Sequence, residues 1–100
     1  MGTAQHAEAF AREMRDLVEA TAPRLFAVVE QFATRDGEPD GRVAAWGLAH
    51  QDGSAYVTSA DGSMRMSLRT AERAAEWISL RPGSSGSLIW VGAGGVCTGD

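Results

Sequence analysis

The tripeptide Asp-Gly-Ser occurs twice in this chain, at residues 52–54 and 61–63, and the segments around both copies alternate in side-chain character. An Asp-Gly pair between alternating segments is a strong local signal for a β-hairpin. Two such turns in succession predict three consecutive antiparallel strands. This pattern constrains the fold more than any other feature of the sequence.

The two turns also predict which side chains share a face of the sheet. If each Asp-Gly pair is the centre of a two-residue turn, Leu48 pairs with Val57, and Val57 pairs with Met66. One face, which we expect to form the core, then carries Trp46, Leu48, His50, Ala55, Val57, Met64, Met66 and Leu68. The other, half-polar face carries Ala45, Gly47, Ala49, Tyr56, Thr58, Ser63, Arg65 and Ser67.

Further helices and strands are predicted on either side of these hairpins. Residues 4–22 carry apolar side chains at three- and four-residue steps, which is typical of an amphipathic helix. Residues 71–80 show the same spacing, with Thr70 as the candidate N-cap. Residues 24–34 favour a strand through their β-branched and aromatic content, although a helix also fits them. The apolar run at residues 88–91 predicts a final strand.

The predicted order is helix, four strands, helix, strand, which indicates an α+β protein. We expect a two-layer sandwich in which a mainly antiparallel sheet of four to five strands carries two helices on one face, because both apolar helix stripes need an apolar surface to cover. The length of 100 residues suits a single domain. We assign it to residues 1–91, with residues 92–100 as a flexible glycine-rich tail.

Composition narrows the classes of function. The net charge of −4 disfavours binding to the phosphate backbone of nucleic acids, whose binders usually concentrate positive charge. The apolar runs are too short for a membrane span, and the N-terminal residues do not show the pattern of a secretory signal. The single cysteine, Cys97, excludes an intrachain disulfide and fits a reducing compartment. We therefore expect a cytoplasmic protein.

Few residues suggest catalysis or metal binding. His50 and Asp52 form a His-x-Asp pair, but Asp52 is already explained as a turn residue and His6 is distant in sequence. No serine lies in a Gly-x-Ser-x-Gly motif, and the glycines at residues 92–95 precede no predicted helix that could bind phosphate. Glu30 is either a carboxylate with partners near the sheet rim or an acid catalyst. We expect no enzyme activity, cofactor or metal.

The half-polar sheet face is the surface that we expect to meet a partner. Small, amphipathic and guanidinium groups suit a protein contact, and tyrosine and arginine often carry much of the binding energy. The candidate contact residues are Ala45, Gly47, Tyr56, Thr58 and Arg65. We expect a non-enzymatic accessory or regulatory module that binds a protein partner or itself, as a homodimer. The alternative is a small-molecule binder or minor enzyme with a pocket near His50.

Three segments of the chain resemble small uncharacterised proteins of high-GC actinobacteria: RVAAWGL at residues 42–48, VTSADGSMRMSLRTAERA at 57–74 and LIWV at 88–91. These motifs are structural, and the resemblance implies no activity and no functional residue. The order of helices and strands, with the acidic charge, also resembles dimeric secretion chaperones. That resemblance implies a partner-binding role as a more distant alternative.

Overall fold

A computed structural model describes residues 2–92 of the chain, and the side chains of residues 6–92. The elements are α1 (Gly2–Thr21), β1 (Arg24–Ala33), β2 (Pro39–Ala49), β3 (Ala55–Ser59), β4 (Arg65–Leu68), α2 (Glu72–Ser79) and β5 (Ser84–Trp90). The five strands form one antiparallel sheet in the order β4-β3-β2-β1-β5. The predicted α+β class and element order are confirmed. The predicted tail from residue 93 onward, including Cys97, lies outside the described residues.

The segment that fitted both a strand and a helix is the strand β1. Pro23 disfavours helical geometry at the residue before it, and α1 ends at Thr21. β1 lies between β2 and β5, so its backbone is paired on both sides, and its Phe26 and Val28 are fully buried. A helix at this position would leave β5 without a partner and β2 paired on one side only.

α2 covers one face of the sheet and packs on β5 and β1. The largest fully buried side chains meet between the helix and the sheet, and they are Phe26, Val28 and Val57 of the sheet and Ile78 of α2. Gly86 of β5 permits this close approach, because a Cβ there would lie only 2.9 Å from the Cβ of Ile78. The core is therefore formed where α2 meets the centre of the sheet.

α2 begins without the predicted cap. Ala71 is the N-cap residue, with φ −63° and ψ −35°, and it makes no side-chain capping hydrogen bond. Thr70 contributes its carbonyl oxygen, which accepts a hydrogen bond from the backbone N–H of Arg73 at 3.3 Å. Ala71 is buried against the core, so packing rather than capping positions the start of this helix.

The hairpin between β2 and β3 differs from its predicted register by one residue. Leu48 pairs with Tyr56, and Gly47 pairs with Val57. The prediction that Leu48 pairs with Val57 was wrong. Because side chains alternate between the two faces of a strand, this single step moves every side chain of β2 to the face opposite the one predicted.

The cause is the length of the loop. The backbone N–H of His50 donates to the carbonyl of Ser54 at 2.8 Å, and the N–H of Gly53 donates to the carbonyl of His50 at 2.9 Å, which leaves three residues in the loop. Gly53 has φ +95°, as expected for a type I turn followed by a left-handed residue. A two-residue type I′ turn would need positive φ at Asp52 as well, and within residues 2–92 only glycines have it.

The hairpin between β3 and β4 has the predicted register, with Val57 opposite Met66. Its loop spans residues 60–63, and the N–H of Ser59 donates to the carbonyl of Met64 at 2.9 Å. A four-residue loop at residues 60–63 and a two-residue turn at Asp61 and Gly62 are centred on the same peptide bond, so both give the same pairing of residues on β3 and β4. The pairing, and hence the predicted faces of β3 and β4, are therefore confirmed.

α1 extends away from the sheet. We expected it on the same face as α2, but every described side chain of α1, from His6 to Thr21, is exposed, so of the two described helices only α2 covers that face. The side-chain amide of Gln51 donates a hydrogen bond to the carbonyl of Ala20 and ties the end of α1 to the loop between β2 and β3. The protein measures 70 Å along its longest axis and 28 and 22 Å across. Neither α1 nor α2 is long and apolar enough to cross a membrane.

Candidate functional site

The sheet face opposite α2 carries large apolar side chains that no described element covers. We call this surface the open face, and its large side chains are Leu25, Val43, Trp46, Leu48, Tyr56, Ile89 and Val91. These seven side chains are 38–55% exposed. One face of an antiparallel sheet is commonly solvated, and its side chains are then mostly polar. The open face departs from that pattern.

Strand pairing arranges the open face in two rows. In the first row, Tyr56, Leu48 and Leu25 are cross-strand neighbours, and the N–H of Val91 donates to the carbonyl of Leu25 at 2.9 Å. The second row crosses all five strands and contains Arg65, Thr58, Trp46, Ala27 and Ile89. With strands about 4.8 Å apart, the rows are roughly 14 and 19 Å long. The open face is therefore apolar along the first row and from Trp46 to Ile89 in the second row, which ends in the polar Thr58 and Arg65.

The structure divides the five predicted contact residues between the two faces of the sheet. The open face carries Tyr56, Thr58 and Arg65. Ala45 and Gly47 are buried on the α2 face, so their prediction as contact residues was wrong. The cause is the three-residue loop before β3, which places each of these β2 side chains on the face opposite the predicted one. At Gly47, a Cβ would lie 2.7 Å from Cε1 of Phe26, so the ring of Phe26 covers this glycine.

Sequence reasoning missed the apolar members of the open face, above all Trp46 and Leu48. A signal for them was present elsewhere in the chain. Residues 25–29 and 88–91 are continuous apolar runs without alternation. Strands of this kind are typically covered on both faces. The two runs therefore indicate that the face opposite α2 also needs an apolar neighbour.

α1 carries a second uncovered apolar surface. Phe10, Met14, Leu17 and Val18 share one side of the helix, and we call them the α1 stripe. Their side chains are 40–63% exposed. Contiguous apolar surface of this kind commonly marks a site of interaction. The chain thus presents both an apolar helix side and an apolar sheet face to solvent.

A cavity of about 350 Å3 lies beside His50, where α1 joins β1 and α2 begins. Arg24, Glu72 and Trp90 line it together with His50. The guanidinium carbon of Arg24 lies 4.1 Å from the centre of the Trp90 ring, within range of a cation–π contact. The cation and the aromatic ring of this cavity are therefore already in contact with each other. In the described part of the chain, no three His, Cys, Asp or Glu side chains are grouped so that they could hold a metal ion.

Glu30 is a buried charged residue and is only 3% exposed. Its Oε1 accepts hydrogen bonds from Arg42 Nε at 2.9 Å and from Arg81 Nη1 at 3.3 Å, and its Oε2 accepts one from Ser84 Oγ at 2.7 Å. The hydrogen bonds from Ser84 and then Arg42 hold the pKa of Glu30 below its ordinary value, against the opposing effect of burial. The geometry supports the first interpretation of Glu30, a carboxylate with partners near the sheet rim.

We expect Glu30→Gln to lower the free energy of unfolding by about 2 kcal/mol at neutral pH, because hydrogen bonds to a charged acceptor are lost. A carboxyl group with a lower pKa in the folded than in the unfolded state stabilises the fold above its unfolded pKa, here near its ordinary value of 4.5. That contribution is lost as the pH falls through the lower, folded pKa.

Urea unfolding between neutral pH and about pH 3 measures this effect. The variant should lose less stability than the original protein as the pH falls. Glu38→Gln, at an exposed glutamate in the loop before β2, is the control and should keep the original pH dependence. Equal pH dependence of the Glu30→Gln variant and the original protein would show that Glu30 does not contribute in this way.

The comparisons with known proteins found no matching protein-family model, no matching curated protein and no matching solved structure.

Proposed function

We propose that this protein is a protein-interaction module that acts as a homodimer through its open face, in an accessory or regulatory role. The observation that carries this proposal is the set of seven large apolar side chains exposed on one face of the sheet, whose other face is already covered by α2. Exposure of such a surface to water is unfavourable, because burying apolar area contributes about 25 cal/mol per Å2 to the free energy of association.

The chemistry of the open face suits a protein partner. Its two rows combine the aromatic rings of Trp46 and Tyr56 with the guanidinium group of Arg65, and these three residue types dominate the energetics of protein interfaces. A surface built on hydrogen-bonded strands also changes little on binding. The alternative is a small-molecule site beside His50. It is supported by a cavity whose volume lies within the usual range of ligand sites. We place the open face first because its apolar side chains are uncovered, whereas Arg24 and Trp90 in the cavity already contact each other.

Leu48→Glu should convert the dimer to a monomer. An unpaired carboxylate at the centre of the interface costs about 3 kcal/mol or more, which weakens dimerisation at least 100-fold. Light scattering measures the outcome against a monomer mass of 10.6 kDa. Circular dichroism checks the fold, which we expect to persist because Leu48 is exposed in the monomer.

The matched control is Leu80→Glu, which places the same charge on a leucine that is 79% exposed beyond the end of α2. We expect this variant to remain a dimer. The proposal fails if the original protein is a monomer at all accessible concentrations, or if Leu48→Glu and Leu80→Glu dimerise equally well.

A further inference from the structure

We propose that α1 of a second copy of the chain occupies the open face, so that two copies exchange helices and each α1 stripe packs on the open face of the other copy. This inference rests on the proposed function, because it uses the same open face. It identifies α1 of the partner copy as the element that covers the open face. The proposal of a homodimer does not by itself say which element does so.

The two uncovered surfaces of the chain match in size and chemistry. α1 has 20 residues and is about 30 Å long, whereas the two rows of the open face are roughly 14 and 19 Å long. From Phe10 to Val18 the α1 stripe extends about 12 Å, close to the length of the first row. One helix laid across the strands therefore spans either row, with the α1 stripe over most of the first.

Within a single chain, α1 stands away from the open face. Only Ala22 and Pro23 separate α1 from β1, and the hydrogen bond from Gln51 to the carbonyl of Ala20 fixes the direction in which the helix leaves the sheet. The radius of gyration is 18.5 Å, whereas a compact chain of this length has about 13 Å. The chain therefore carries an apolar helix and an apolar sheet face that do not cover each other, and a second copy supplies what each lacks.

The area of contact favours a reciprocal exchange. Two reciprocal contacts of a helix on a sheet bury twice the area of a single one, which brings the interface closer to the total of about 1,200 Å2 at the lower end of the range for stable protein interfaces. A second copy of the chain provides both contacts at once.

Charge is also complementary between the two surfaces. Glu13 lies three residues after Phe10 and four before Leu17, which places it at the border of the α1 stripe. Arg65 ends the second row of the open face. In an exchanged pair the carboxylate of Glu13 can face a guanidinium group at the rim of the contact, and the charged side of α1 remains in solvent.

Substitution of the α1 stripe tests the inference separately from the proposed function. Leu17→Glu should weaken dimerisation at least 100-fold, as Leu48→Glu does. Arg12→Glu places a glutamate on the side of α1 opposite the stripe, where the side chain is exposed, and should change the dissociation constant less than about threefold. If Leu17→Glu leaves the dimer intact while Leu48→Glu dissociates it, α1 is not the occupant, and the open face still forms the dimer.

Photo-crosslinking from α1 distinguishes the exchange of helices between two copies from the packing of α1 on the open face of its own chain. Phe10 is replaced by benzoylphenylalanine, and equal amounts of protein with natural nitrogen and with 15N are mixed, denatured together, refolded and irradiated. Exchange predicts crosslinks from α1 to β1, β2 or β5 that join one peptide of each isotope in about half of the products. Crosslinks within one isotope only would overturn the inference, and a monomeric original protein would overturn both proposals.

Discussion

Gly47→Ala should lower the free energy of unfolding by about 3 kcal/mol, although the change adds only one methyl group. Gly47 lies in β2 beneath the ring of Phe26, and a Cβ there would lie 2.7 Å from both Cε atoms of that ring. The ring has little freedom to move, because Phe26 is fully buried and packs edge-on against Trp90 at 5.2 Å between ring centres. The strand or the ring must shift, and either movement disturbs the core.

Urea unfolding at one fixed protein concentration measures this change, since the proposed dimer makes apparent stability depend on concentration. Gly41→Ala, in the same strand, is the control. Its added Cβ would lie 3.1 Å from the carbonyl oxygen of Glu30, so we expect a smaller loss of stability.

A double-mutant cycle with Phe26→Leu identifies the cause. Leucine lacks the outer ring atoms that overlap the new methyl group, so Gly47→Ala should cost less than about 1 kcal/mol in the Phe26→Leu background. An equal cost in both backgrounds would show that the ring of Phe26 is not the reason why glycine is needed.

Gly86→Ala should also lower the free energy of unfolding by about 3 kcal/mol, through loss of the contact between α2 and the sheet. The added Cβ would overlap the backbone carbonyl oxygen of Ala75 and lie 2.9 Å from the Cβ of Ile78. Because a backbone atom cannot rotate away, the whole helix must move. The same movement would stretch the hydrogen bond from the N–H of Gly86 to Ser79 Oγ, now 2.8 Å long.

Hydrogen exchange locates this damage. We expect faster exchange throughout α2 and little change in the hairpin between β2 and β3. Ser87→Ala, one residue further along β5 on the opposite face, is the control and should leave α2 unchanged. Uniformly faster exchange across the whole sheet would contradict a local effect of Gly86 on α2.

The two hairpins differ in a feature that their sequences do not predict, the length of the loop. Both contain Asp-Gly-Ser, and in both the aspartate Oδ1 accepts hydrogen bonds from the backbone N–H and the hydroxyl of the following serine. The two hydrogen bonds from Ser63, together with a third from Ser59 Oγ, lower the pKa of Asp61 to about 2. The same motif nevertheless spans a three-residue loop in one hairpin and a four-residue loop in the other.

The loop length is decided by contacts outside the loop. With Gly47 on the α2 face, the ring of Phe26 can lie on the sheet, and a larger side chain there would leave it no room. Trp46 and Leu48 must then lie on the open face. Two of the predicted contact residues, Ala45 and Gly47, are in the core for this reason, while Tyr56, Thr58 and Arg65 keep their predicted face.

From the sequence alone follow the end of α1 before Pro23, the positions of the two Asp-Gly loops, the order of helices and strands, and the amphipathic character of α1. These features depend on interactions between residues a few positions apart, which a single sequence displays directly. Only the tertiary structure decided which face of β2 joins the core and that α1 stands apart from the sheet. Both depend on packing between residues far apart in the chain, and packing selects among local arrangements that differ by a single residue in a loop.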